Sequence, residues 1–166
     1  KASRHDTEVL LESDMMPDLR RAFLLGCYAG LRVAEAAALD WSDVDVEAGT
    51  IVVRGGKGGK SRVVDVSPML IDWLSPVLPR GNVVTAGKEP QTAAQMQRRL
   101  NRAIRAAGLD ITTHSLRHRW GMLAYQSSGD ILAVSEMMGH ASVNTTKIYA
   151  QASSDVKKKI ASAVMR

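Results

Sequence analysis

One cysteine in 166 residues leaves nothing from which to build a disulfide framework or a cysteine-rich metal site. Cys27 lies among Leu24, Leu25 and Tyr28 in a helix-like run and is expected to be a packed core thiol. No stretch approaches the roughly 20 apolar residues that cross a bilayer, and the opening Lys1-Ala2-Ser3-Arg4 lacks the apolar segment of a signal peptide. A cytoplasmic protein with no membrane partner is the expectation. Internal repeats, low-complexity tracts and interior linkers are also missing, so residues 1–166 are expected to form one domain. The 45% of residues that are hydrophobic suffice for its core. A chain that opens on Lys1 instead of methionine is expected to be an excised or processed piece of a longer protein.

What is present is positive charge, unevenly placed. The chain carries +5 overall, yet residues 1–87 hold 10 Lys+Arg against 12 Asp+Glu, net −2, and residues 88–166 hold 12 against 5, net +7. A polyanion would lie on the second half. Charge by itself favours a nucleic acid only weakly, because many domains solvate a mildly basic face.

The hydrophobic pattern predicts short helices over residues 6–13 and 32–39 and a longer one over 17–29, with Phe23, Leu24, Leu25 and Tyr28 suited to a buried stripe. Gly30 would close the longer helix as a left-handed cap. Val44, Val46, the turn Glu47-Ala48-Gly49 and Ile51-Val52-Val53 begin a hairpin, and a glycine-rich turn leads to a third strand at 62–66. Helices follow at 68–74, 91–107 with a basic face, 113–127, 131–138 and 143–149, and Ser154-Asp155 would cap a last amphipathic one. The class is therefore α+β, mainly α-helical, with a small three-stranded antiparallel sheet. Tyr28 and Tyr125 read as packing residues.

Four places carry groups that can do chemistry. Arg32, in Gly30-Leu31-Arg32-Val33-Ala34-Glu35, falls at a helix start, where N–H groups and the dipole favour a phosphate, and Glu35 one turn on could brace the guanidinium or the helix start. The loop Arg54-Gly55-Gly56-Lys57-Gly58-Gly59-Lys60-Ser61 ends like a nucleotide-binding loop, but Arg54 stands where the first glycine is required and a strand follows where a helix is required. An ATP site fails on both counts, and a polar hairpin tip carrying the compact ammonium of Lys57 remains.

The third place, Thr113-His114-Ser115-Leu116-Arg117-His118, opens a helix on which Leu116, Trp120, Leu123 and Ala124 share one face and His114, Arg117, His118 and Gly121 share a polar, open one. His114 and His118 at i, i+4 lack a third ligand and an intervening acid, so zinc is disfavoured, and no metal is expected. His114 could instead hydrogen-bond or accept a proton beside a phosphate held by Arg117. In the fourth, Met138-Gly139-His140 turns His140 out of a helix end, nine residues before Tyr149. A phenol with a pKa near 10 is only about 0.1% ionised at pH 7, so a nucleophilic tyrosine needs surrounding cations, which Arg32, Lys57 and Arg117 could supply. Each place taken singly is as compatible with an ordinary surface or packing role.

In this order, Arg, Lys, His-x-x-Arg, Gly-His and Tyr resemble the active site of the tyrosine recombinases, the phage integrase family, over about residues 7–155. Residues 29–35 with Leu39-Asp40-Trp41-Ser42-Asp43-Val44-Asp45 are similar to its first arginine box, residues 56–62 to its lysine hairpin, and residues 113–118 and 138–149 to its second box. Thr113 and Asp65 stand where the family often has proline. The resemblance implies a DNA breaking-rejoining catalytic core. In it Tyr149 attacks the scissile phosphate to form a 3′-phosphotyrosyl link, and Arg32 and Arg117 neutralise the non-bridging oxygens. Lys57 protonates the leaving 5′ oxygen, His114 assists proton movement at the tyrosine, and His140 hydrogen-bonds a non-bridging oxygen.

The resemblance also implies no cofactor, double-stranded DNA as partner, and a homotetramer on DNA for a full-length protein that carries an N-terminal core-binding domain absent from this chain. This chain alone is expected to be a monomer, acting in a prokaryotic or phage-infected cell. The last helix, with Val156, Ile160 and Val164 as its stripe, is expected either to dock on a neighbour or to fold back. A type IB topoisomerase is the nearest enzymatic rival, and a DNA-binding module with a relic active site is the non-enzymatic one.

Overall fold

The computed structural model describes residues 2–55, 61–74, 80–139 and 154–165. Helix α1 (Arg4–Glu12) starts two residues before the sequence pattern suggests, because Ser3 and Asp6 form a reciprocal capping box in which Ser3 Oγ accepts from the Asp6 N–H at 3.1 Å. Pro17 opens α2 (Pro17–Tyr28), where a missing N–H costs nothing, and its Phe23, Leu24, Leu25 and Cys27 are buried. Cys27 is the core thiol expected, its pKa pushed up to about 12 by burial.

Gly30 then takes the left-handed conformation, φ +66°, and a Cβ there would lie 2.7 Å from the indole of Trp120. Only glycine allows both the turn and that approach. Helix α3 (Val33–Ala38) leads through a 3-10 turn at Trp41–Asp43 into strands β1 (Val44–Asp45), β2 (Thr50–Val53) and β3 (Arg62–Asp65). They form one antiparallel sheet, β1-β2-β3, with Val44 opposite Ile51 and Val53 opposite Arg62. The sheet is as the sequence predicts, but Val46 is not part of it and is more than half exposed.

The remaining elements are helical. They are α4 (Pro68–Leu74), α5 (Ala93–Ala106), α6 (Thr113–Ser128), α7 (Ile131–Met138) and α8 (Ser154–Ala163). The helix expected over 143–149 lies outside the described residues. Helix α5 buries Met96, Leu100 and Ile104 and leaves Arg98, Arg102 and Arg105 exposed on the opposite side, a strongly two-faced helix.

Helix α6 runs through the centre of the helical layer, packing against α2, α5, α7 and α8. Its Leu116, Trp120 and Ala124 are buried, as the 3.6-residue period requires, and Trp120 Nε1 donates to Tyr28 O at 3.1 Å. Two expectations fail on this helix. Tyr125 is 48% exposed instead of packed, and Arg117, expected on an open face, is buried, because the end of α7 and the turn at Gly30 cover it. Of the proline substitutions, Thr113 puts its N–H to use, donating to Asn101 Oδ1 at 3.1 Å, which a proline could not do. Helix α8 folds back on its own domain, with Ile160 and Val164 fully buried and Lys157 paired with Glu136 at 2.9 Å.

Candidate active site

Glu35 organises the site. Its backbone position one turn into α3 returns its carboxylate to the helix start, where Oε2 accepts the Arg32 N–H at 2.8 Å and Oε1 accepts Arg32 Nη1 at 2.9 Å. It thus braces both the helix start and the guanidinium, the two roles the sequence suggested. That N–H is therefore already satisfied, and what Arg32 offers an anion is its side chain. Arg32 also donates from Nη2 to Gly139 O at 3.2 Å, tying α3 to the end of α7.

Arg117 rises from the second turn of α6 into the same place. It donates from Nη1 to Gly30 O and from Nη2 to Met138 O at 2.6 Å, and its Nη1 stands 3.9 Å from Glu35 Oε2. Burial first, and the adjacent charge of Arg32 second, lower its pKa to about 10, with Glu35 pulling the other way. It therefore remains a cation at neutral pH.

Arg62 at the start of β3 completes the cluster and was not singled out from the sequence as a site residue. Its Nη1 and Nη2 grip Glu35 Oε1 and Oε2 at 2.8 and 2.9 Å, and its Nε donates to Met137 O at 2.7 Å. The strand period held the signal. Arg62 and Val64 share a face, Val64 is a core residue, and so Arg62 must point inward. Burial alone would raise the Glu35 carboxyl, but hydrogen bonds from Arg62 and the Arg32 N–H, with the charge of Arg62, take it down to about 2. Three guanidinium groups around one carboxylate leave a surplus of two positive charges, much of it shielded from water.

That surplus borders a cleft of about 300 Å³, lined among others by Arg32, Arg117, His114 and Gln97. His114 is exposed on the first turn of α6, a helix started by the Thr112–Ser115 capping box. The structure thus brings Arg32, His114 and Arg117 together. Lys57, His140 and Tyr149 lie outside the described residues. Gly139 immediately precedes that last segment; it ends α7 with φ +64°, and a Cβ on it would stand 2.8 Å from Arg62 Nη1. A two-arginine anion site with a histidine at its rim is suited to a phosphodiester, because preformed donors stabilise the charge that develops on phosphorus-bound oxygens.

The profile of the phage integrase family matches residues 9–155. The chain belongs to that family. Among its relatives, the tyrosine recombinase XerA of Thermococcus onnurineus is 35% identical over 142 residues, 78% of this chain and 49% of the relative. This chain spans about half the length of such relatives. The integrase of mycobacterium phage Brujita shares the fold, with a TM-score of 0.81 at 23% identity, covering 100% of this chain and 60% of that one. The XerH site-specific recombinase in a post-cleavage complex with a palindromic difH substrate gives a TM-score of 0.66 at 28% identity, covering 86% of this chain and 47% of that one. No described helix is long and apolar enough to cross a membrane.

Proposed function

We propose that this chain is the catalytic domain of a tyrosine-type site-specific recombinase, cleaving and rejoining double-stranded DNA through a 3′-phosphotyrosyl intermediate in the cytoplasm of a prokaryotic or phage-infected cell. The observation that carries the proposal is the convergence of Arg32, Arg117 and His114 on one cleft, with Arg32 held by Glu35 and Gly139 O and Arg117 by the Gly30 and Met138 carbonyls. Arg32 and Arg117 neutralise the non-bridging oxygens of the phosphorane. Tyr149 supplies the nucleophilic oxygen, His114 assists its proton, Lys57 protonates the leaving 5′ oxygen and His140 donates to a non-bridging oxygen. The bond energy is conserved in the phosphotyrosine, so rejoining requires no nucleotide.

A core-binding domain would complete the grip on DNA, and the full-length protein would work as a homotetramer, whereas this chain alone would be a monomer that binds DNA weakly. The XerH complexes with difH substrate and the recombinase names of the relatives support this reading over a topoisomerase.

The test is covalent capture. The chain is incubated with nicked duplexes of randomised sequence, and adducts are resolved on a denaturing gel and sequenced. Wild type is expected to yield adducts attached through a 3′ phosphate, and Tyr149→Phe none, with DNA binding near wild type. Adducts that persist in Tyr149→Phe would move the nucleophile elsewhere, and none from wild type would leave a DNA-binding relic.

A further inference from the structure

Arg62 is the one member of the arginine cluster that does not line the cleft. Its side chain is 10% exposed, and each of its three nitrogens is already engaged, two by Glu35 and one by Met137 O. It is therefore badly placed to touch a phosphate. What it does is decide how Glu35 is shared. A guanidinium and a carboxylate prefer a two-pronged pair, and Arg62 holds that arrangement on Glu35. Arg32 is left a single side-chain prong at 2.9 Å, and Arg117 stands back at 3.9 Å.

Without Arg62, each Glu35 oxygen keeps one contact from Arg32 but gains a lone pair open to the Arg32 or Arg117 guanidinium, and a two-pronged pair with either would turn that arginine away from the cleft. The charge would change too. One carboxylate against three guanidinium groups leaves two positive charges to face the charge that develops on the phosphate oxygens during cleavage, and against two it leaves one.

We infer that Arg62 is a positioning residue for strand cleavage, which occupies Glu35 in a two-pronged ion pair and thereby keeps Arg32 and Arg117 available to the scissile phosphate. This rests on the recombinase function proposed above. A second contact ties the same guanidinium to the end of α7, since it lies against Gly139 where any Cβ would stand within 3 Å and donates to Met137 O. Lysine could supply the charge but not the fork, so Arg62→Lys would be a poor replacement.

The experiment measures single-turnover cleavage at saturating protein, on a nicked duplex bearing a site recovered by covalent capture. Wild type, Arg62→Met, Arg62→Lys, Glu35→Gln and the double variant Arg62→Met/Glu35→Gln are compared, with rates expressed per folded molecule from circular dichroism. Arg62→Met is expected to slow cleavage roughly 30-fold or more, with Kd and its salt dependence within about threefold of wild type, because the residue acts on chemistry and not on phosphate binding. Arg62→Lys should recover only part of the rate. The double variant should be no slower than Arg62→Met, since removing the carboxylate charge removes what Arg62 restrains.

Wild-type cleavage by Arg62→Met, or a double variant slowed by the product of the two single effects, would overturn the inference. Should Arg62→Met fail to fold, Arg62→Lys decides, and a wild-type rate for it would overturn the inference equally. Absence of any adduct from the wild-type chain would instead remove the proposed function on which the inference stands.

Discussion

Two arginine-rich regions of this molecule use the same side chain in opposite ways. On α5, Arg98, Arg102 and Arg105 are exposed, spaced along one face of a helix whose other face is core. Around Glu35, Arg117 is buried, Arg62 nearly so and Arg32 partly so, each bonded to the carboxylate or to carbonyls from α7 and the turn at Gly30. The first region is screened by water and salt and acts as a charged surface. The second is fixed in geometry and poorly screened, so its charge is worth far more to a transition state and could not be moved without cost. Arginine content alone does not separate binding from chemistry; burial and bonding do. Helix α5 joins the two, since Gln97 lines the cleft of Arg32 and Arg117 while Arg98 and Arg102 line a broader one with Asp18 and Gln91.

The contrast is broken most severely at the two arginines that line the cleft. Arg117→Ala and Arg32→Ala should each slow single-turnover cleavage by roughly 10²-fold or more, since each removes a charged donor from the transition state. Changes below about threefold would contradict their assigned place. At Lys57 the expected effect depends on the leaving group. Lys57→Ala should be slow on ordinary DNA and largely rescued on a 5′-bridging phosphorothiolate, whose sulfur leaves without a proton. Equal defects on both substrates would reduce Lys57 to a binding role.

A smaller effect belongs to acid. The Glu35 carboxyl ionises at about 2 in the fold against an ordinary 4.5, so its ion pairs contribute fully above pH 4.5 and their contribution is lost as pH falls toward 2. Thermal melts of wild type and Glu35→Gln across that window should converge at the acid end. A constant gap in Tm from pH 5 to pH 2 would show that the carboxylate adds no pH-dependent stability. The smallest effect is on α5, where Arg98→Gln with Arg102→Gln should weaken DNA binding a few-fold to about tenfold and lower its salt slope by roughly two, leaving the rate of the bound complex unchanged.

Much of this was legible in the sequence. Helix periodicity found α2, α4, α6 and α7 nearly to the residue, and alternation with a turn at Gly49 found the sheet. Helix position and resemblance point to Arg32, Arg117 and His114, and spacing points to Glu35 as a brace for the Arg32 guanidinium or the helix start. What escaped was burial by distant chain. The helical wheel puts Arg117 on a polar face, and nothing local reveals that Met138 and Gly30 close over it. Arg62 escaped for a related reason. The strand period puts its side chain on the same face as Val64, but a charged residue opening a strand reads as solvated unless its inward partner, here Glu35 twenty-seven residues earlier, is known to lie beneath. The tyrosine Tyr125 shows the converse, since its apolar ring suggested packing while its position on α6 faces water.

The most direct measurement sets the two regions side by side in one assay. For Arg117→Ala and for Arg98→Gln/Arg102→Gln, DNA affinity as a function of salt and the single-turnover cleavage rate at saturation are determined on the same nicked duplex. Arg117→Ala should lose roughly 10²-fold or more in rate, with affinity within about threefold of wild type, and the α5 variant should lose affinity and salt slope with its rate intact. If both variants lose affinity and rate in the same proportion, the buried cluster and the exposed face are one binding surface, and the division of labour between them is wrong.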